Sequence, residues 1–523
     1  MPTRMKMDTH PPQLMHASRL IIASNRGPVE FQLSRGNALK ARRGSGGMVT
    51  ALIDAGNSMD VTWVAMTMTE GDRKAASNAQ AHGGLMESPI RGQRMKLHYV
   101  AIPKATYRKY YDRISNEVLW FLQHYMYDHE QTSTRTLQDA WSNGYYLANQ
   151  AIADAVNTEI EREMGRAVVM LQDYHLYLAA SMIRKRHPDI IMQQFIHIPW
   201  PDVRCWHFLP TNIVQDIYSG LVGNDIIGFQ TERDARNFLD GARTMLDGAV
   251  VDFEEGALWW QDHHTQARSY PISISVTQER RVVNSAAGRR AAEQIKPLLR
   301  EHTIMRVDRL EPTKNILRGF QAYEFILERH PELHGKVTFL AFLVPSRQSL
   351  PRYRKTAEEV FATIERINRQ YGSQDWTPIH TFYENDRTRA LAAMQFYDVL
   401  LVNPIIDGMN LVAKEGPVVN QRDGVLVLSR TAGAFQQLAK GSIPTSPTDV
   451  METAQALYKA LNLSPEERHV KATLARQAVE RSDLNLWMKQ QIDDINELLD
   501  LSSPPHPQPA TEPLPKGVVV NVT

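Results

Sequence analysis

The sequence predicts an α/β protein made of two doubly wound domains side by side, and three observations carry that prediction. Short runs rich in Ile, Val and Leu end abruptly in polar residues, as strands buried on both faces of a parallel sheet do. Longer stretches with helical apolar spacing separate them, the alternation expected of βαβ units. The alternation occurs twice, before and after Pro271, in a chain of 523 residues, longer than one hydrophobic core usually spans.

In the first half the strands are LIIAS before Asn25, AVVML before Gln172, QQFIHI before Pro199 and DIIGF before Gln230. Helical spacing covers 114–125, 144–163 and 176–186. In the second half HTIMRVDRL, VTFLAFLVPS, VLLVNP and GVLVLS are strands, with helices over 317–329, 353–371 and 387–396. The boundaries that follow are a loose extension over 1–17, a first domain over 18–270 and a second over 271–483. From Ser502 the composition shifts to SSPPHPQPATEPLPKG, which predicts a disordered tail over 502–523.

Composition excludes several classes. Lys and Arg number 59 against 58 Asp and Glu, a net charge of +1, so no overall field draws in nucleic acid or an anionic membrane. Neither an apolar stretch of about 20 residues nor an N-terminal signal-like core is present, so the cytoplasm is the expected location. Cys205 stands alone, which rules out an intrachain disulfide and a cysteine-based zinc site. Beside Trp206 it reads as buried packing. His263 and His264 in WWQDHHTQ are adjacent on a hairpin and point to opposite faces, so they make no metal site.

Ligands of open parallel sheets bind outside the carboxyl ends of the strands, so the polar residues there are the candidates. After the first strand come Arg26 and the glycine cluster GSGGM, where Gly46 and Gly47 would let backbone approach an anion; a flexible hairpin is the other reading. QDYHL sets Asp173 after a buried strand, either to accept sugar hydroxyls or to cap a helix. HIPWPD places His197 at a strand end before a rigid turn. KYYDRISNEVLW sets Tyr111 and Trp120 as an aromatic wall or as core.

RVDRLEPTKN supplies Arg309 and Lys314 beyond a strand, spaced to meet one anion, or else paired at the surface with Asp308 and Glu311. VNPIIDGMNLVAKEG turns at Asp407 and Gly408, so the amides of Met409, Asn410 and Leu411 start a helix that faces a phosphate, with Glu415 in reach of a ribose.

Taken in order, SNR, GSGGM, YYDRISNEVLW, QDYHL, HIPWP, GFQTE, RVDRLEPTKN, VPSR, NDR and DGMNLVAKE resemble the trehalose-6-phosphate synthase family of retaining glycosyltransferases, over roughly 18–499. The resemblance implies the GT-B fold: two facing Rossmann-like domains with the active site in the cleft between them, and a last helix over 484–501 that returns to the first domain. It implies glucose transfer from a nucleotide-glucose, UDP-glucose by default with ADP- or GDP-glucose compatible, to glucose 6-phosphate. Arg26, Tyr111, Trp120, Asp173 and Arg347 would bind the acceptor. Gly46, Gly47, Arg309, Lys314, Arg387, Asp407, Met409, Asn410, Leu411 and Glu415 would bind the donor, and Asp173, His197, Arg309, Lys314 and Asp407 would carry the chemistry.

No cofactor or metal is expected, since Arg309 and Lys314 would supply the charge. The partners are the two small substrates, and a homo-oligomer is compatible with them. The sequence departs from the family pattern at Met66 in place of a tryptophan, Gln172 in QDYH, Pro312 in RLEPTKN, Ser273, and Gly416-Pro417 after Glu415. Those departures keep open a related enzyme with another phosphorylated acceptor, such as glycerol 3-phosphate or a cyclitol phosphate. A non-catalytic sugar-phosphate-binding regulator also stays open.

Overall fold

The computed structural model describes residues 14, 19–34, 36, 38–44, 49, 52–53, 59–90, 92–128 and 133–502. Apart from Leu14, the expected extension and the tail beyond 502 lie outside the described residues, as do Gly46 and Gly47.

The strands of the first domain are β1 Arg19–Ser24, β2 Val29–Leu33, β3 Leu39–Arg43, β4 Val61–Met66, β5 Leu85–Glu87, β6 Met95–Val100, β7 Ala167–Gln172, β8 Ile191–Phe195, β9 Ile226–Phe229, β10 Val250–Asp252, β11 Ala257–Trp260 and β12 His263–Ser269. All except β2 and β3 join one sheet in the order β10-β11-β12-β9-β8-β7-β1-β4-β6-β5. From β12 to β6 the pairing is parallel, and β5, β10 and β11 add antiparallel edges. β2 and β3 form a separate antiparallel ribbon.

The second domain holds β13 His302–Arg309, β14 Val337–Val344, β15 Ile379–Phe382, β16 Val399–Val402, β17 Val425–Ser429 and β18 Ser442–Thr445, ordered β15-β14-β13-β16-β17-β18 and parallel throughout. Central strands such as β7 and β17 are buried at every position, which is why they read as unbroken apolar runs.

In each sheet the strand order reverses once near the middle. β1 runs outward to β4 and β6 while β7 leads the other way to β8 and β9; β13 and β16 do the same in the second domain. A crevice opens at such a reversal because the connecting helices depart to opposite faces. Arg26 and Asp173 follow β1 and β7, and Arg309 and Asp407 follow β13 and β16. The candidate residues therefore sit on the two crevices.

The chain crosses between domains over 270–275. There the Ile272 N–H donates to Gln230 (3.0 Å) and its carbonyl accepts from buried Lys414 (2.6 Å). The final helix, Leu484–Ser502, lies against the first domain: Trp487 meets Phe195 at 5.3 Å and Gln491 accepts from Gln193 at 2.8 Å.

Some details differ from the sequence reading. The helix expected over 114–125 starts at Lys104, passes through wide π-helical turns over Arg108–Leu119 and ends at Gln123, so a 3.6-residue period could not place its face. Cys205 is half-buried rather than buried, with desolvation raising its thiol pKa. Among the described residues no helix is long and apolar enough to cross a membrane.

Candidate active site

β13 ends at Arg309, and the chain turns through Pro312–Lys314 to Asn315, which takes a left-handed φ of 56°. That turn brings the Lys314 ammonium onto Asp407, a salt bridge with both side chains largely buried. Behind it, fully buried Arg306 donates to the carbonyls of Lys314 (3.1 Å) and Ile316 (3.2 Å) and pairs with Asp308 (2.8 Å). Asp308 is thus an internal counter-ion and not a partner of Arg309 or Lys314, so of the pairings in the alternative reading only that of Arg309 with Glu311 is made. Arg309 instead meets Glu311 at 2.9 Å, and Glu311 is itself wholly buried.

The loop after β16 is held through main-chain bonds from Asp407 N–H to Thr431 (3.3 Å) and from Gly433 N–H to Asp407 (2.9 Å). Asn410 adopts φ 74°, donates to Asp407 (3.1 Å) and accepts from the Ala413 N–H (3.2 Å), capping the helix Val412–Val419. The N–H groups of Met409, Asn410 and Leu411 bond to no acceptor among the described residues, as suits a helix start that receives an anion. A Cβ at Gly408 would lie 2.2 Å from the His197 carbonyl, so this loop of the second domain abuts the strand-end turn of the first. Farther along, Arg387 bridges Glu279 (2.5 Å) and Glu415 (3.2 Å), and burial raises the pKa of both carboxyls, Glu279 to about 7. Pro417 stays within the helix that carries Glu415.

On the first domain Asp173 takes φ 72° and its side chain caps no helix N–H; it accepts from the His197 N–H at 3.2 Å. A non-glycine residue at positive φ is a strained conformation held by its surroundings. Burial raises the Asp173 pKa to about 6 and depresses that of His197 to about 3. The neutral His197 ring lies 3.1 Å from the Gln172 amide oxygen, so the departure at Gln172 fixes the orientation of His197.

Tyr111 stacks on His175 at 5.8 Å, and Trp120 underlies two arginines of the other domain, Arg347 at 4.4 Å and Arg309 at 5.3 Å. Arg347 also donates to Tyr353 (2.7 Å) and, across the cleft, to Tyr174 (3.2 Å). Glu311 lies 3.8 Å from Arg347 as well as beside Arg309. Despite desolvation, these cations hold its carboxyl below the usual glutamate range. Desolvation, then Arg347 and Arg26, push the His175 imidazole down to about 3, so both arginines address the same wall.

Buried side-chain donors there lack partners: Trp120 Nε1, Asn116 Nδ2 and Gln172 Nε2. Buried polar atoms are normally satisfied, by protein or by ordered water.

Sequence reasoning missed Glu311 as a shared counter-ion and His124 altogether. His124 stacks on Trp120 at 4.2 Å and, desolvated near Asp407, Lys314 and Glu311, has its pKa depressed to about 4. Its four-residue spacing from Trp120 was the available signal. Among the described residues no cluster of three His, Cys, Asp or Glu is placed to hold a metal; His263 bonds to the Asn224 carbonyl while His264 lies on Trp259.

Two facing Rossmann-like domains with charged strand ends meeting across a cleft define a glycosyltransferase of the GT-B class. The family model for glycosyltransferase family 20 matches residues 18–497, and the chain belongs to that family, the family of trehalose-phosphate synthases. It is 28% identical to the trehalose-6-phosphate synthase of Klebsiella pneumoniae, covering 92% of this chain and 96% of that one. It is 30% identical to the bifunctional trehalose-6-phosphate synthase/phosphatase of Thermoproteus tenax over 90% of this chain; it spans only 62% of that relative and 63% of one from Dictyostelium discoideum.

The E. coli protein solved with UDP-2-fluoro glucose superposes with a TM-score of 0.79 at 27% identity, covering 92% of this chain and 99% of that one. A UDP-forming alpha,alpha-trehalose-phosphate synthase from Burkholderia xenovorans in complex with glucose-6-phosphate gives 0.75 at 26%, covering 91% and 99%.

Proposed function

We propose that the protein transfers glucose, with retention, from a nucleotide-glucose to a phosphorylated acceptor, with UDP-glucose and glucose 6-phosphate as the pair that forms trehalose 6-phosphate. One observation carries the reading: Arg309 and Arg347 both lie over the Trp120 ring and both lie within 4 Å of the Glu311 carboxylate. The cation suited to a departing diphosphate and the cation suited to an acceptor phosphate thus flank one spot in the cleft.

The donor diphosphate lies against Lys314, Arg309 and the free amides at Met409 to Leu411, and Glu415 meets the ribose hydroxyls. As the bond to the leaving oxygen lengthens, the fixed cations take up its charge without reorganising, and preorganised charge of this kind is usually the largest catalytic contribution. Arg26 and Arg347 grip the acceptor phosphate. Asp173 and His197 hold the glucose hydroxyls, and the acceptor oxygen attacks the face the leaving group vacates, passing its proton to the departing phosphate. No side chain is glycosylated on this path. Support comes from the family membership and from the match to structures solved with a UDP-glucose analogue and with glucose-6-phosphate.

The test is to incubate the purified protein with UDP-, ADP- and GDP-glucose and a panel of phosphorylated acceptors, measuring diphosphate release and identifying the product. Trehalose 6-phosphate formed with glucose 6-phosphate is the expected result. Binding without release from any pair would replace this reading with that of a sugar-phosphate-binding regulator.

A further inference from the structure

One helix of the second domain, Pro351–Tyr371, begins inside the core of the first. Val360, Ile364 and Ile367 along its length are buried in the second domain's own core. Leu350, its N-cap residue, and Tyr353 in its first turn are instead buried in a cluster whose other described members all lie in the first domain. There the Tyr353 ring packs on Phe121 with centroids 6.0 Å apart. Arg352 lies over the same Phe121 ring at 4.2 Å and donates to the Met126 carbonyl at 2.8 Å. Arg352 is exposed, so its contact adds little; the apolar pair on either side of it makes the seat.

The same segment carries Arg347, and three bonds tie the two together. The Arg347 carbonyl accepts from the Leu350 N–H (2.9 Å), the Leu350 carbonyl accepts from the Tyr353 N–H (3.1 Å), and the Tyr353 hydroxyl accepts from the Arg347 guanidinium (2.7 Å). Arg347 holds a φ of 40°, which a side chain with a β-carbon disfavours and which its surroundings must enforce. Tyr174 (3.2 Å) and Glu311 (3.8 Å) also touch the guanidinium, but neither fixes the backbone that delivers it. Phe121, under the seat, directly follows Trp120, over which Arg347 lies at 4.4 Å. Cation and seat therefore address consecutive residues of the first domain.

We propose that Leu350 and Tyr353 are positioning residues, a plug through which the first domain aims Arg347, so that affinity for the phosphorylated acceptor depends on the seating of this plug and affinity for the donor nucleotide does not. The inference rests on the transfer reading above for the assignment of Arg347 to the acceptor phosphate. With the plug unseated, Arg347 would have to be ordered at the moment of binding, and immobilising one free arginine side chain weakens binding roughly tenfold.

Two variants test it on the full chain. Leu350→Ala empties part of the seat, and Tyr353→Phe keeps the ring in place while removing the hydroxyl that Arg347 bonds to. Calorimetry measures the affinity for UDP, and for glucose 6-phosphate with UDP saturating; thermal melting checks each fold. The expected result is glucose 6-phosphate bound about tenfold more weakly by Leu350→Ala and about threefold more weakly by Tyr353→Phe, with UDP affinity within about twofold of wild type in both. Glucose 6-phosphate affinity unaltered in the folded variants, or both ligands weakened equally, overturns the inference and leaves the transfer reading standing. Should Leu350→Ala fail to fold, Tyr353→Phe decides by the same criteria. Wild type that binds UDP but no glucose 6-phosphate overturns the acceptor assignment and the inference with it. Because the readout is binding, the test is decided even if no glucose is transferred, an outcome that would count against the transfer reading alone.

Discussion

Glu311 is the residue on which the two halves of the proposed site depend together, and Glu311→Gln isolates that dependence. Its carboxylate is buried and lies 2.9 Å from Arg309 and 3.8 Å from Arg347. With an effective dielectric of about 20, Coulomb's law gives roughly 6 and 4 kcal/mol for these separations. Arg309 is 43% exposed, so solvent screens its share heavily and the net value falls well below that figure. Arg347 is 14% exposed and cannot compensate with water. Leaving a buried charge without its partner costs about 3–5 kcal/mol, and the lower end applies because Arg347 keeps its bonds to Tyr353 and Tyr174.

The kinetic effect has a diagnostic sign. Gln removes a negative charge, so anionic substrates bind as well as before or better, while both arginines lose the group that aims them. The expected outcome in steady-state assays is unchanged or lower KM for both substrates and a kcat reduced 10- to 100-fold, about 1.4–2.7 kcal/mol of transition-state stabilisation. An unaltered kcat, or a raised KM with normal kcat, would refute the assignment of Glu311 as a positioning residue.

Stability adds a second check. The folded pKa lies below the ordinary value of 4.5, so the contribution is present above pH 4.5 and is lost as pH falls through the folded value. The acid limb of a stability curve should therefore be shallower in the variant.

Other perturbations give separate readouts. Lys314→Ala, and likewise Arg309→Ala, should lower kcat by about 10²–10³, the scale seen when one preorganised group facing developing charge is removed; near-normal turnover in a folded variant would sink the leaving-group assignment. Acceptor kcat/KM should fall as pH drops through about 6, where Asp173 takes up a proton, and Asp173→Asn should lack that limb; a limb that persists in the variant places the titration elsewhere. His197, held neutral with a pKa of about 3, adds no step between pH 5 and 8. Gly408→Ala puts a methyl 2.2 Å from the His197 carbonyl and should cut kcat/KM at least tenfold by prising the loop from the strand end, whereas wild-type kinetics would show that the contact has no role.

Much of this architecture was legible because parallel strands buried on both faces announce themselves as apolar runs. β1, β7, β14 and β17 stand where the sequence placed them, and the strand-end rule pointed to Asp173, Arg309 and Asp407. The less readable elements share a physical cause. β6 alternates buried and half-buried positions, β10 to β12 form an antiparallel edge, and the π-helical turns around Tyr111 break the period used to find helices. Site residues that depend on distant partners were also hidden. Glu311 looked like a surface charge until Arg347, 36 positions away, folded over it, and Gln172 looked like a mere departure until it met His197.

The resting charge arrangement bears on how the proposed reaction would couple its steps. Lys314 is neutralised by Asp407 and Arg309 by Glu311, so an incoming diphosphate must compete with carboxylates for both cations. When it draws Lys314 toward itself, Asp407 loses its partner and its acceptor oxygens become available to the glucose hydroxyls of the same donor. Asp407 also holds Asn410, and through it the start of the helix that carries Glu415. Binding of the diphosphate would in this way arm the sugar-binding carboxylate and adjust the ribose-binding helix in one event. A ligand lacking the diphosphate, such as free glucose, would not trigger it, so on the proposed reading an unactivated sugar is not a donor.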